Sequence, residues 1–322
     1  SSDVCSSDLS CSIDLGIVSM NFTCIDETES CTQAYSLAGI SVNTYKLAGM
    51  ERFINDFGEK CSSLSINSIH CILDDIQHTP ETHSLMTLAF AAACACAAFA
   101  FLLGAGKWEI ICVFFGAGVG QLIRKMIINK NLSLAISIGV SAAAACLVYT
   151  GVMFFLRSIL EIPMENGAGY ICSVLYLVPG FPFITSVLDL AKLDMRSGIE
   201  RLMYSGIVML VAMSFACAAA LTFGYESESL AGLSLPLAAL IILRLVASFI
   251  GIYGFSMMFN STHRMALTAA LVGSIPNVIR IELTQLLLFP ASVSAFIGAF
   301  LAGLVASIAV KITGLPRVSI TL

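Results

Sequence analysis

Eight apolar stretches, each close to twenty residues long, follow one another between residues 84 and 312. A helix needs about twenty residues to cross the hydrocarbon core of a bilayer, and there every backbone N–H and C=O has to be satisfied inside the protein. The stretches cover about 84–104, 108–128, 133–156, 170–190, 202–223, 236–259, 265–286 and 291–312, so eight spans are expected. With 11% charged residues against roughly 25% in a soluble domain, the chain reads as a polytopic membrane protein.

What precedes the spans is short. Ser1 to Leu9 contains SSD twice, and CSSDL is what a common sequencing-adapter end encodes, so 1–9 reads as an assembly scar outside the fold. Residues 10–82 read as a partial α/β cytoplasmic region: Ile17 to Ile25 alternates like a strand, while Tyr45–Phe57 and Ile66–Ile76 carry apolar residues at helical spacing. Most acids lie ahead of the first span, so the net charge of −5 describes the soluble segment and points to no nucleic-acid partner. The twelve cysteines form no CxxC pair; Cys94, Cys96, Cys112, Cys146, Cys172 and Cys217 fall inside apolar runs and read as small buried residues. No metal and no cofactor are expected.

Lysine and arginine are unevenly distributed. Loops on the side of the N-terminal region hold Arg124, Lys125, Lys130, Lys192, Arg196, Arg201, Arg264, Lys311 and Arg317; the opposite loops hold Lys107, Arg157 and Arg280. Positive residues stay inside, so the N-terminal region is expected in the cytoplasm and the chain in a bacterial inner membrane. Shifting the chain by 156 residues lays Phe99 over Phe255 and Leu122-Ile123-Arg124 over Val278-Ile279-Arg280. Five spans separate the two starts, and an odd number inverts the second copy. Inverted repeats enclosing a midplane site of discontinuous helices are a transporter signature. The expected fold is therefore all-α, with inverted five-span repeats and a broken helix: 83–223 as the first repeat and 224–322 as a truncated second one with three spans.

The broken helix is the run "YLVPGFPFITSVLDLAKLD", Tyr176 to Asp194. Proline lacks the N–H donor and clashes with the preceding turn, so Pro179-Gly180-x-Pro182 unwinds the span. Freed amides at the positive end of a half-helix suit a substrate carboxylate; a packing kink is the plainer alternative. "LVPGFPFITSVLDLAKLDMRSGIERL" resembles the central motif of the threonine/serine exporter family, in which a Pro-Gly-x-Pro break leads to an Asp and then a Gly-x-x-Arg. The matched positions are Pro179, Gly180, Pro182, Asp189, Asp194, Gly198 and Arg201. Leu193 departs from the family pattern, which favours glycine there. The resemblance implies a cytoplasmic N-terminal domain, ten spans in two related sets, and export of threonine and serine driven by the proton-motive force. Two-subunit relatives are associated with succinate.

Individual side chains leave alternatives open. Thr185 and Ser186 can donate to a ligand or bond back to their own helix. Asp189 can accept a proton or an ammonium group, or form an interfacial salt bridge to Lys192 or Arg201. Asp194 and Arg201 fit coupling or loop ordering. Arg244 is the charge deep in an apolar run; it can bind a substrate carboxylate or hold Asp189 charged, and it lies too far inside to snorkel easily. Gly116-x-Gly118-x-Gly120 and the stretch Gly298 to Gly303 read as close helix packing. The leading function is an exporter of threonine and serine, partnered by the lipid bilayer and by further copies or a second subunit. A dicarboxylate exporter and half of a two-subunit transporter are the alternatives. An intramembrane aspartyl hydrolase needs facing carboxylates on different spans, and Asp189 and Asp194 share one segment.

Overall fold

The computed structural model describes residues 10–17, 19–25, 29–37, 42–60, 64–130, 133–160, 169–224 and 236–315. The expected scar at 1–9 lies outside them. The described residues fall into two compact units.

One unit joins the N-terminal strands to the segment Val178–Leu210. Strands β1 (Ser10–Leu15), β2 (Ser19–Ile25) and β3 (Ser30–Ser36) form an antiparallel meander in which Phe22 faces Ile13 on one side and Gln33 on the other. The expected strand is β2. Its neighbours are rich in Ser, Cys and Thr and carry no clear apolar period, so the sequence does not announce them. β1 and β3 are exposed throughout, so the sheet depends on an outside anchor. That anchor is the start of α8 (Met195–Phe223): Arg196 pairs with Asp14, the Ser197 hydroxyl donates to the Leu15 carbonyl at 2.6 Å, and the Ile17 N–H donates to Glu200 at 2.8 Å.

Before α8 comes α7 (Gly180–Ala191), which ends in a Schellman turn. The Asp194 N–H donates to the Asp189 carbonyl and the Leu193 N–H to that of Leu190, which requires a left-handed residue at the position after the cap. Leu193 occupies it at φ 65°. Here glycine would carry no steric penalty, which is the physical reason for a glycine preference at this position.

The other unit holds α1 (Thr44–Lys60), α2 (Ile66–Gln77), α3 (Leu85–Leu102), α4 (Lys107–Ile128), α5 (Leu134–Leu160), the short α6 (Gly169–Cys172) with a 3-10 turn (Leu175–Leu177), the end of α8, α9 (Leu237–Met258), α10 (His263–Gln285) and α11 (Ala291–Thr313). α3 packs on α4 and α4 on α5; α9 packs on α10 and α10 on α11; α3 and α9 join the two rows. Small residues set these contacts. A Cβ on Gly116 would lie 2.8 Å from the Ala145 carbonyl, and one on Gly120 would run into the Tyr176 hydroxyl, which itself donates to the Ser141 carbonyl. The packing expectation holds there and at Gly298, where a Cβ would stand 2.9 Å from Arg280 Cβ. It fails at Gly303, which faces open space.

The α3–α9 seam is antiparallel. Near the start of α3, Ala91 clusters with Met257 at the end of α9, whereas Leu102 at the end of α3 clusters with Ala247. Phe99 and Phe255, 156 residues apart, meet with ring centroids 5.4 Å apart. Two antiparallel spans must be separated by an even number of crossings. α4, α5 and α8 supply three, so the broken segment, Gly169–Leu177 followed by Gly180–Ala191, is a full crossing and the expected eight spans stand. The two hairpins are alike in detail. Gly104 and Asn260, also 156 residues apart, both take the left-handed position of a Schellman turn (φ 90° and 60°), and Gly106 and Thr262 are the N-caps of α4 and α10.

At the end of α9 a polar clasp ties in the N-terminal helices. Thr44 N–H donates to the Phe259 carbonyl, Thr82 N–H to Asn260 Oδ1 at 2.8 Å, and His83 Nε2 meets the Ser261 carbonyl at 2.7 Å. On the outer faces Phe154, Phe155, Phe296, Phe300 and Ile312 are exposed, as apolar side chains are when lipid is the solvent. Cys96, Cys112, Cys146 and Cys172 are buried as expected; Cys217 is exposed instead, on the outer surface of α8.

Candidate functional site

The span breaks at Val178-Pro179. The 3-10 turn ends at Leu177, and α7 starts at Gly180 with Pro179 as an N-cap that has no side-chain bond to offer. Pro182, buried at the third helical position, has no N–H, so Gly180 and Phe181 are the donors of the first three residues. The Gly180 N–H donates to the Val178 carbonyl at 2.9 Å. A Cβ at Gly180 would meet nothing within 4 Å. The backbone at the positive end of α7 is thus open to approach.

Thr185 and Ser186 bond back to their own helix: Thr185 Oγ1 donates to the Phe181 carbonyl at 3.0 Å and Ser186 Oγ to that of Phe183 at 2.8 Å. Asp189 forms a 3.0 Å ion pair with Arg201, the salt-bridge alternative raised by the sequence. Gly198 makes that pair possible: α8 approaches so closely that a Cβ there would lie 2.7 Å from Leu190, and Arg201 follows one turn later. Asp194 caps α8, accepting the Ser197 N–H at 3.2 Å. Ser197, through its side chain and then its N–H, holds the Asp194 carboxyl below the usual aspartate range, with help from Arg201 and Arg196. The Gly-x-x-Arg element therefore has a structural task in the α7–α8 turn.

Arg244 is buried, and its partners are on α10: Nη1 donates to Glu282 at 2.5 Å and Nη2 to Gln285. Next to this pair, Asn277 donates to Ser248 at 2.9 Å and accepts from Arg280. Arg280 is thus an integral part of α10 rather than of a loop. Besides the aspartates of the α7–α8 turn, two glutamates lie in the spans. Glu109, buried near the start of α4, accepts the Gly106 N–H at 2.9 Å and faces the Tyr149 hydroxyl at 3.5 Å. Glu282 has one oxygen on Arg244; the other, Oε2, is a buried atom with no hydrogen-bond partner among the described residues. The available signal was Arg244 itself, since an intramembrane cation calls for an acid on a neighbouring span.

Residues 4–224 match the family model described as "Putative threonine/serine exporter", and residues 244–322 match "Threonine/Serine exporter, ThrE". The apolar helices define a multi-pass membrane protein. The chain belongs to the threonine/serine exporter (ThrE) family. It is also similar to two proteins named "Probable succinate transporter subunit YjjP": 32% identical over 100 residues to that of Klebsiella aerogenes and 31% over 100 residues to that of Escherichia coli K12. Each match takes in 31% of this chain and 37% and 38% of the relatives, so the chain spans less than half the length of either. No solved structure matches it.

Proposed function

We propose that the chain exports small carboxylate-bearing solutes, threonine and serine first, across a bacterial inner membrane by proton-driven antiport, with its N-terminal region in the cytoplasm. The observation that carries this reading is the broken crossing. A half-helix opens at Gly180 with space before its backbone, and its partial positive charge suits an anion. In this reading Pro179, Gly180 and Pro182 shape the carboxylate site and Thr185 flanks it. Arg244 is a second carboxylate contact, while Asp189, Asp194 and Arg201 order the turn or couple the proton. Residues 83–223 and 224–322 are the two membrane repeats.

The names of the two relatives favour a second reading, in which the solute is a dicarboxylate such as succinate and a partner subunit completes the transporter. Cells expressing the full chain and loaded with a threonine dipeptide test the first reading. Faster threonine efflux, lost in Arg244→Leu and slowed in Gly180→Ala, is the expected result. Unchanged efflux from verified, inserted protein refutes it, and succinate efflux from the same cells then tests the second.

A further inference from the structure

We propose that Glu282 is a proton-accepting residue whose charge state controls Arg244: ionised Glu282 holds the guanidinium, and protonated Glu282 releases it to a solute carboxylate. This inference rests on the transporter reading above. Its geometry is the part-buried contact between Arg244 and Glu282 at 2.5 Å, with Gln285 on the second guanidinium nitrogen. Carboxylate oxygens offer about four acceptor sites between them, yet among the described residues Glu282 Oε2, itself a buried atom, has no hydrogen-bond partner. An acceptor left without a donor in a low-dielectric interior is costly, so Oε2 is the position open to a proton.

The surroundings isolate the pair. Ile281, beside Glu282, packs with Ala98, Leu102 and Ala247. From α9 the charge that faces Glu282 is Arg244. α3 contributes only the thiols Cys94 and Cys96, and α11 only Lys311, at its far end. On α10 itself the Arg280 guanidinium is turned to Asn277 Oδ1, at 3.2 and 3.0 Å. Glu282 also lies one turn from the end of α10, on the membrane face opposite the N-terminal region, where an exporter of the proposed orientation meets incoming protons. Finally, the pair is not part of the shared scaffold. The 156-residue shift that matches Phe99 with Phe255 places Leu88 against Arg244 and Met126 against Glu282. A pair needed to build the hairpin would recur in both copies.

In the cycle, a proton from water adds to Glu282 Oε2 and gives the neutral acid. Arg244 keeps its charge and exchanges Glu282 for the solute carboxylate. With the solute bound, the proton departs to the face of lower proton activity, and at the opposite face ionised Glu282 takes Arg244 back and releases the solute. The test uses full-length protein in liposomes and compares threonine–threonine exchange with accumulation driven by a gradient of one pH unit, worth about tenfold per coupled proton. Glu282→Gln is expected to exchange threonine at a changed rate and to lose the tenfold accumulation. Glu282→Asp is expected to retain it. Glu282→Gln that still accumulates overturns the proposal, as does inserted Glu282→Gln that loses exchange and accumulation together, since Glu282 is then a structural partner. If wild type exchanges neither threonine nor succinate, the function proposed above falls. Proton uptake by the purified protein then decides separately: greater uptake on acidification by wild type than by Glu282→Gln supports this proposal, and equal uptake overturns it.

Discussion

Gly254→Ala probes the antiparallel seam between α3 and α9. A Cβ at Gly254 would lie 2.6 Å from the Ala91 carbonyl oxygen and 3.0 Å from Ala95 Cβ. Carbon–oxygen contacts settle at about 3.3–3.6 Å, so α9 has to withdraw by roughly 0.7–1 Å. The clashing atom is backbone, and no rotamer change relieves it. Overpacking of this kind costs about 1–3 kcal/mol, offset by about 0.5–1 kcal/mol because alanine is the better helix former. The net loss is about 0–2.5 kcal/mol. Gly303→Ala on α11 is the control, because its Cβ meets nothing within 4 Å and only the gain of about 0.5–1 kcal/mol remains. Thermal melts of purified protein in detergent, at about 2–4 °C per kcal/mol, should place Gly254→Ala below wild type and Gly303→Ala above it. Adding Ala95→Gly should recover little, since the carbonyl contact persists. Gly254→Ala melting at or above Gly303→Ala would refute the antiparallel seam and the crossing count built on it.

Three further outcomes follow from the turns. Leu193→Gly removes a left-handed leucine that is 77% exposed. It should raise the melting temperature by a few degrees, because the αL penalty of about 1–2 kcal/mol exceeds the entropic cost of glycine. The cap at Asp194 has a depressed carboxyl, so its contribution is present above the ordinary aspartate range and is lost as pH falls through the folded value. Wild type should therefore lose more stability on acidification than Asp194→Asn, measured by melts across the acid range. Asn260→Ala keeps a positive φ without the Thr82 acceptor. Melts should show a loss of about 1–3 kcal/mol, whereas Asn260→Gly loses the side-chain bond alone.

The spans were readable because hydrocarbon imposes a length and the chain marks the ends. Gly104, Gly106, Pro236, Asn260 and Pro290 sit at or beside helix boundaries, and the expected limits lie within a few residues of the observed ones at most ends; α5 and α8 extend further at the polar side. The break was readable for the same reason, since two prolines have few places in a span. β1 and β3 were not, because strands that bury neither face carry no period of two. The charge pair was half readable. Arg244 stands alone in its run, but its acid is thirty-eight residues away on the next helix, and pairing across helices is a property of the fold rather than of local sequence.

In the proposed inverted repeat, a seam between a helix and its own upside-down copy looks the same from either side of the bilayer. Opening it on one face and opening it on the other are then a single distortion performed by exchanged halves, and an unmodified scaffold would visit the two equally. Any preference must come from residues that only one half possesses, and Arg244 with Glu282 is such a pair. The direction of work in this molecule is therefore written in the places where the two copies disagree.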